Sequence, residues 1–183
     1  GVDMAASSLW DAKEGCYTYP RDGVKRNSGE QLEFVRSLIK EYHLVYVEDP
    51  LHEEDFEGFA QLTKNVKNCL ICGDDLFVTD RERLAQGVKV GAANAVIIKV
   101  NQVGTLTDAW EAAEAARKAG YTSVMSHRSG ETTDTHLAHL AVAFHCPIIK
   151  TGVVGGERAA KINELIRIEE ALGGRAKLST LSI

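Results

Sequence analysis

Five short apolar runs recur along the chain, at residues 44–47, 69–72, 95–100, 122–125 and 147–149. Each is continuously apolar rather than alternating, the pattern of a parallel strand buried on both faces. Amphipathic or alanine-rich stretches lie around them, near residues 29–41, 56–66, 80–90, 107–119, 134–144 and 157–172. In the last, Ile162, Leu165, Ile166 and Leu172 fall on roughly one helical face. Gly120 and Gly173 follow two of these stretches, where a left-handed helix cap is expected. A run of β/α units restricts the chain to the α/β class, with parallel strands joined by helical crossovers.

What ends each strand carries the functional signal. Glu48-Asp49 follows Val47, Asp74-Asp75 follows Cys72-Gly73, and Lys99 closes Val-Ile-Ile-Lys. His127-Arg128-Ser129 follows Val-Met-Ser126, and Lys150 closes Ile-Ile-Lys. The steps from Glu48 to Asp74, Lys99, His127 and Lys150 are 26, 25, 28 and 23 residues, each one β/α unit long. Parallel strands place their C-terminal ends on one rim, so these groups are expected to converge where β/α barrels carry their active sites. A charge at the end of a buried strand is costly unless it is paired or bound to metal. One such residue reads as a salt bridge, whereas five successive strand ends read as a site.

The residue types narrow the chemistry. Asp3, Glu48 and Asp74 offer hard oxygen donors without histidine or thiolate, which favours Mg²⁺ over zinc or copper. Lys99 and Lys150 put two ammonium groups on nearby strand ends. Mutual repulsion and partial burial are expected to lower their pKa values and let one act as a base. His127, Arg128 and Ser129, with Gly130 beyond, supply donors suited to a phosphate or carboxylate. Metal, lysine base and anion-binding donors together point to proton abstraction beside a metal-bound carboxylate.

Composition excludes other classes. The 183 residues are 44% hydrophobic and 26% charged, an ordinary globular balance for one domain. A net charge of −5 with no basic stripe argues against nucleic acid as partner. No apolar run reaches the ~20 residues of a membrane helix, and no signal-peptide pattern opens the chain. Cys69 and Cys72 form a C-x-x-C, but in a strand residues three apart point to opposite faces and no second pair completes a zinc site. Buried, reduced cysteines in a cytoplasmic protein are expected.

Several longer motifs resemble the enolase (phosphopyruvate hydratase) family. They are Gly1-Val-Asp-Met-Ala-Ala-Ser7, Val47-Glu-Asp-Pro50, Gly73-Asp-Asp-Leu76, Lys99-Val-Asn-Gln-Val-Gly-Thr105, Ser126-His-Arg-Ser-Gly-Glu-Thr132 and Ile149-Lys-Thr-Gly152. They stand in the family's order, and Arg167-Ile-Glu-Glu170 fits as well. The segment 11–29 and residues 153–156 look archaeal-like. The resemblance implies that residues 1–183 form a single partial domain, the C-terminal part of an enolase-type (β/α)8 TIM barrel, from the end of the third strand through the eighth strand and last helix. It implies Mg²⁺-dependent interconversion of 2-phosphoglycerate and phosphoenolpyruvate in glycolysis and gluconeogenesis, in the cytoplasm, by a homo-oligomeric parent. Asp3, Glu48 and Asp74 then match the metal ligands, and Lys99 matches the base that takes the C2 proton. Glu48, Asp74, Lys99, Ser126, His127, Arg128, Ser129 and Lys150 match the substrate-binding set, with Arg128 and Ser129 at the phosphate, Lys150 at the carboxylate and His127 close by. The family's general-acid glutamate, its N-terminal domain and its covering loops have no counterpart in these residues, so the chain alone is expected to be inactive and prone to self-association.

Two other readings compete. A racemase or cycloisomerase would share the carboxylate triad, but Ser126-His-Arg-Ser129 and the lysine pair speak against it. A surface-displayed binding protein is the other, and a chain ending in Leu-Ser-Ile lacks the terminal lysines that such binding usually needs. Asp49 and Asp75 read as supports for the adjacent ligands, or as ordinary loop carboxylates. His43, His52, His136, His139 and His145 are expected to be structural or surface groups, and the 53–55 acidic run a helix N-terminal bias. Gly152, Gly155 and Gly156 fit a tight turn as well as an anion cradle.

Overall fold

A computed structural model describes residues 1–181. Six parallel strands form one curled sheet, and helices cover one of its faces. In chain order these strands are β1 (Val2–Asp3), β5 (Tyr46–Glu48), β6 (Leu70–Gly73), β7 (Ala95–Ile98), β8 (Thr122–Ser126) and β9 (Ile148–Lys150), and they lie side by side in that order. The connecting helices are α1 (Ser28–Tyr42), α2 (Phe56–Asn65), α3 (Arg81–Val90), the short α4 (Val100–Val103), α5 (Leu106–Lys118), α6 (His136–Ala143) and α7 (Gly156–Leu172). This is the α/β class that the repeating units predict, in the partial-barrel form that the resemblance implies.

Local sequence explains where most helices start. Asn27 caps α1 in a reciprocal capping box with Glu30. The side chains of Asp55, Asp80 and Thr105 cap α2, α3 and α5. Asp55 is thus a cap within the acidic run, as a helix N-terminal bias predicts. Gly73 has a different task. A Cβ there would lie 2.6 Å from the ring of Phe77, so only glycine lets β6 close against the turn that follows it.

Five of the six strands, β5 to β9, serve two cores. Val47, Ile71, Val96, Ile98 and Met125 join the helix-facing core with Phe59, Leu62, Phe77 and Leu84. Leu70, Cys72, Ala95, Ile97 and Val124 form a smaller cluster on the opposite face, packed by Tyr46 and Ile148. Cys69 and Cys72 fall into different clusters and both are free thiols, as the strand periodicity requires.

Three features differ from the expectation. Residues 10–26, where the apolar runs predict no strand, build an antiparallel ribbon, β2 (Trp10–Asp11), β3 (Cys16–Tyr19) and β4 (Val24–Arg26). Its Tyr17 hydroxyl accepts the N–H of His52 at 2.8 Å, and Trp10 packs against the His52 ring, so the ribbon braces the loop after β5. The run at 95–100 stops being a strand at Ile98, because Val100 already begins α4. The apolar face expected on α7 is only partly covered. Ile166 is half exposed, and the one fully buried α7 residue is Lys161, because α7 packs mainly on α6 and the loop before α6.

Candidate active site

The two-residue strand period decides which strand-end groups face each other. Continuing the small inner cluster past the strand ends puts Glu48, Asp74, Lys99, Ser126 and Lys150 on the face turned away from the helices. Strand register sets them level, with Asp3 opposite Glu48 and Ser126 opposite Lys150. The expected convergence is present, and it falls into two ion-paired groups.

In the first group, Lys150 Nζ donates to Asp3 Oδ2 at 2.8 Å and to Glu48 Oε1 at 2.7 Å. Glu48 is fully buried, and its other oxygen accepts the Tyr46 hydroxyl at 2.7 Å. In the second, Lys99 Nζ pairs with Asp74 Oδ2, with both side chains largely buried. The Lys99 N–H is in turn held by Thr79 Oγ1 at 2.9 Å. Carboxylate oxygens of Glu48, Asp49 and Asp74 lie within 4.8 Å of one another, which joins the two groups.

Asp49 is the residue that fixes this junction. Its Oδ1 accepts the N–H of Asp74 and its Oδ2 the N–H of Asp75, both at 2.9 Å. It adopts a left-handed backbone, φ +41°, which is uncommon without glycine. Both oxygens being engaged by backbone, Asp49 acts as a cross-strand tie, while Asp74 Oδ1 stays buried with no hydrogen-bond partner. Arg83 ties the same two loops from outside, donating to the carbonyls of Leu76 and Glu53 at 2.7 Å each.

Burial dominates the electrostatics of the carboxylates. It raises the Glu48 pKa, with the Lys150 and Tyr46 bonds opposing it. It pushes Asp49 up to about 7 against the two backbone N–H bonds. Burial pulls the Lys150 ammonium the other way, but its bonds to Asp3 and Glu48 and their charges prevail, so its pKa stands above the usual lysine value. The expectation that repulsion would lower both lysines therefore fails at Lys150: the ammonium faces two carboxylates rather than its fellow cation.

The remaining groups sit on the loop after β8. The His127 N–H donates to the Lys150 carbonyl at 3.1 Å, which extends the β8–β9 pairing by one bond. Ser126 Oγ donates to the His127 carbonyl at 3.1 Å. Arg128 Nη1 approaches Asn101 Oδ1 of α4 at 3.3 Å, which brings it over the β7 end. Ser129 is exposed and shares no contact with the carboxylates. Burial and the nearby Arg158 guanidinium lower the His127 pKa.

Several functional neighbours escaped the strand-end reading. Tyr46 carries a signal only in retrospect, as it lies two residues before Glu48 on the same face. Thr79, Arg158 and Lys161 carry none, because their partners are distant in sequence. His136 and His139 pair with Asp134 and Glu164 and are exposed, as expected of surface groups. Gly155, φ +96°, occupies the α7 N-cap, so a turn explains it.

A set of carboxylate oxygens with one buried, unpartnered acceptor fits a hard divalent cation, and nothing in the set favours a softer metal. Fold and site together define a β/α-barrel protein with a carboxylate-and-lysine centre at its C-terminal rim. A family model described as "Enolase, C-terminal TIM barrel domain" matches residues 1–182, and the chain belongs to that family. It is 58% identical over 172 residues to the enolase of Methanothermobacter thermautotrophicus, covering 93% of this chain and 41% of that protein. To the enolase of Pyrobaculum aerophilum it is 55% identical over 183 residues, covering 100% of this chain and 43% of that protein. The enolase of Archaeoglobus fulgidus is 55% identical over 172 residues, covering 94% of this chain and 42% of that protein. The chain spans about two fifths of the length of these relatives.

Proposed function

We propose that residues 1–183 are the metal- and base-bearing domain portion of an enolase, a hydro-lyase that interconverts 2-phosphoglycerate and phosphoenolpyruvate. The pairing of Lys99 with Asp74, level with the Lys150 bridge between Asp3 and Glu48, is the observation that carries the reading. In this reading Asp3, Glu48 and Asp74 would hold Mg²⁺, Asp3 joining the buried Glu48 and Asp74 from the neighbouring strand end. A bound divalent cation supplies charge neutralisation for the substrate carboxylate, without which the adjacent C2 proton is too weakly acidic to remove. The lysine-base and Mg²⁺ pattern of this superfamily is a known example of such chemistry.

The chain's own residues divide the remaining work. Lys99 accepts the C2 proton, and the ammonium so formed has Asp74 as its partner. Lys150 pairs with the substrate carboxylate. Arg128 and Ser129 bind the phosphate, and Ser126 and His127 bound the same side of the substrate. Asp49 keeps Asp74 in place through its two backbone bonds. The glutamate that protonates the leaving hydroxyl is not among the residues matched, so turnover is assigned to the whole protein and little or none to these residues alone. The reading carries with it a glycolytic and gluconeogenic role, a cytoplasmic setting and a homo-oligomeric parent. Among the described residues no helix is long and apolar enough to cross a membrane.

The test supplies 2-phosphoglycerate and Mg²⁺ to the full-length protein and follows phosphoenolpyruvate by absorbance. Lys99→Ala is expected to lower kcat by about 10²- to 10⁴-fold, the usual worth of a positioned base. A full-length protein inactive on 2-phosphoglycerate would sink the reading and favour a racemase or cycloisomerase.

A further inference from the structure

The 127–132 loop is held by two cations from the first two turns of α7. Arg158 Nη1 contacts His127 Nδ1 and donates to the Arg128 carbonyl at 3.0 Å, while its Nη2 donates to the Ser129 carbonyl at 3.2 Å. Lys161 is fully buried. Its ammonium lies 2.6 Å from Glu131 Oε2, donates to the Glu157 carbonyl at 2.9 Å, and donates to the Thr132 carbonyl. The other Glu131 oxygen accepts the Arg128 N–H at 2.9 Å. A lysine buried this completely is rare unless its three donors are satisfied, and here each has an acceptor.

We propose that Arg158 and Lys161 are positioning residues for the anion-binding loop. Arg158 sets the backbone of residues 127–129 from one side. Lys161, through Glu131, sets the Arg128 backbone N–H from the other. Guanidinium can only donate, so the Arg158 contact also makes His127 Nδ1 an acceptor and leaves the ring proton on Nε2. The loop thus offers a neutral imidazole N–H donor beside the Arg128 side chain. A fork with several donors is needed at 158, because it reaches three acceptors at once. This inference rests on the proposed role of Arg128 and Ser129 as phosphate contacts.

A phosphate contact is made in ground state and transition state alike, so loosening it raises KM more than it lowers kcat. In the full-length protein, Arg158→Lys and Lys161→Met are expected to raise KM for 2-phosphoglycerate at least about tenfold, the scale of a displaced positioning group. The Ki of inorganic phosphate is expected to rise in parallel, with kcat changing by less than about threefold. Hydrogen exchange in the 127–132 segment is expected to quicken. Should Lys161→Met fail to fold, Glu131→Gln removes the same charge pairing while keeping an acceptor for the Arg128 N–H. Folded variants with unchanged KM, phosphate Ki and loop exchange overturn the inference. A wild-type protein without turnover overturns the enolase reading instead, and loop exchange and phosphate affinity then decide the clamp by themselves.

Discussion

The ammonium of Lys150, on the last strand of the sheet, lies 2.8 Å from Asp3 Oδ2 on the first strand and 2.7 Å from Glu48 Oε1 on the second. A contact across 147 residues closes the curl of the sheet at its C-terminal rim. It also means that two carboxylates, one of them fully buried, share one cation.

Removing that cation should therefore be costly. Lys150→Met leaves Glu48 buried without its charge partner, a change worth about 3 kcal/mol when one member of a buried pair is deleted. On the proposed function, Mg²⁺ held by the buried carboxylates would supply the missing positive charge and should restore part of the loss. Thermal unfolding with and without Mg²⁺ checks this, the expected result being a larger Mg²⁺-dependent rise in Tm for the variant than for the wild type.

Asp49→Asn isolates the cross-strand tie. Asparagine tolerates the left-handed backbone at this position, so strain is not added. Its amide, however, has one acceptor oxygen, and its NH₂ would face a backbone N–H of Asp74 or Asp75. An unsatisfied buried donor costs about 1–3 kcal/mol. Urea unfolding should show that loss, and a Mg²⁺ titration should show affinity falling about 10- to 100-fold, as for other groups that orient metal ligands. Wild-type Mg²⁺ affinity in a destabilised Asp49→Asn protein would mean that Asp49 supports the fold only.

Tyr46→Phe removes the hydroxyl that donates to Glu48 Oε2 while keeping the ring in the inner cluster. The expected loss is about 1 kcal/mol by urea unfolding. Unchanged stability would show that water replaces the hydroxyl there.

Alkaline pH tests the ribbon. Burial pushes the Tyr17 phenol up to about 12, against the bond it accepts from the His52 N–H. The folded state then keeps a proton that the unfolded chain gives up near pH 10, so this contribution is intact below pH 10 and is lost as pH rises towards 12. Two pH units of difference correspond to about 2–3 kcal/mol. Urea midpoints at pH 9 and pH 11.5 should fall more steeply in the wild type than in Tyr17→Phe. Equal slopes would place the alkaline sensitivity elsewhere.

The strands were legible because burial on both faces demands continuous apolar runs, and the charged ends of those runs stand out against them. Glu48, Asp74, Lys99 and Lys150 were found that way, and the strand period explains why they share a face. The ribbon at residues 10–26 was not legible, since strands of two to four residues in a mixed polar segment leave no period to detect. Nor was the pKa direction at Lys150, which depends on which partner each ammonium finds in space. Lys161 shows the same limit. In the sequence it is one more polar residue on a helix, and only its three acceptors explain why it is buried.

The division of these five strands, β5 to β9, between two cores has a consequence for variation. Along β6 and β7, a substitution at Ile71 or Val96 perturbs the helix-facing packing and is read out as stability. A substitution at Cys72 or Ile97 perturbs the layer directly beneath Asp74 and Lys99 and is read out in their spacing. Adjacent positions in one strand thus answer to different structural demands. A library built on alternate residues would separate a search for sturdier scaffolds from a search for altered rims, using the same five strands.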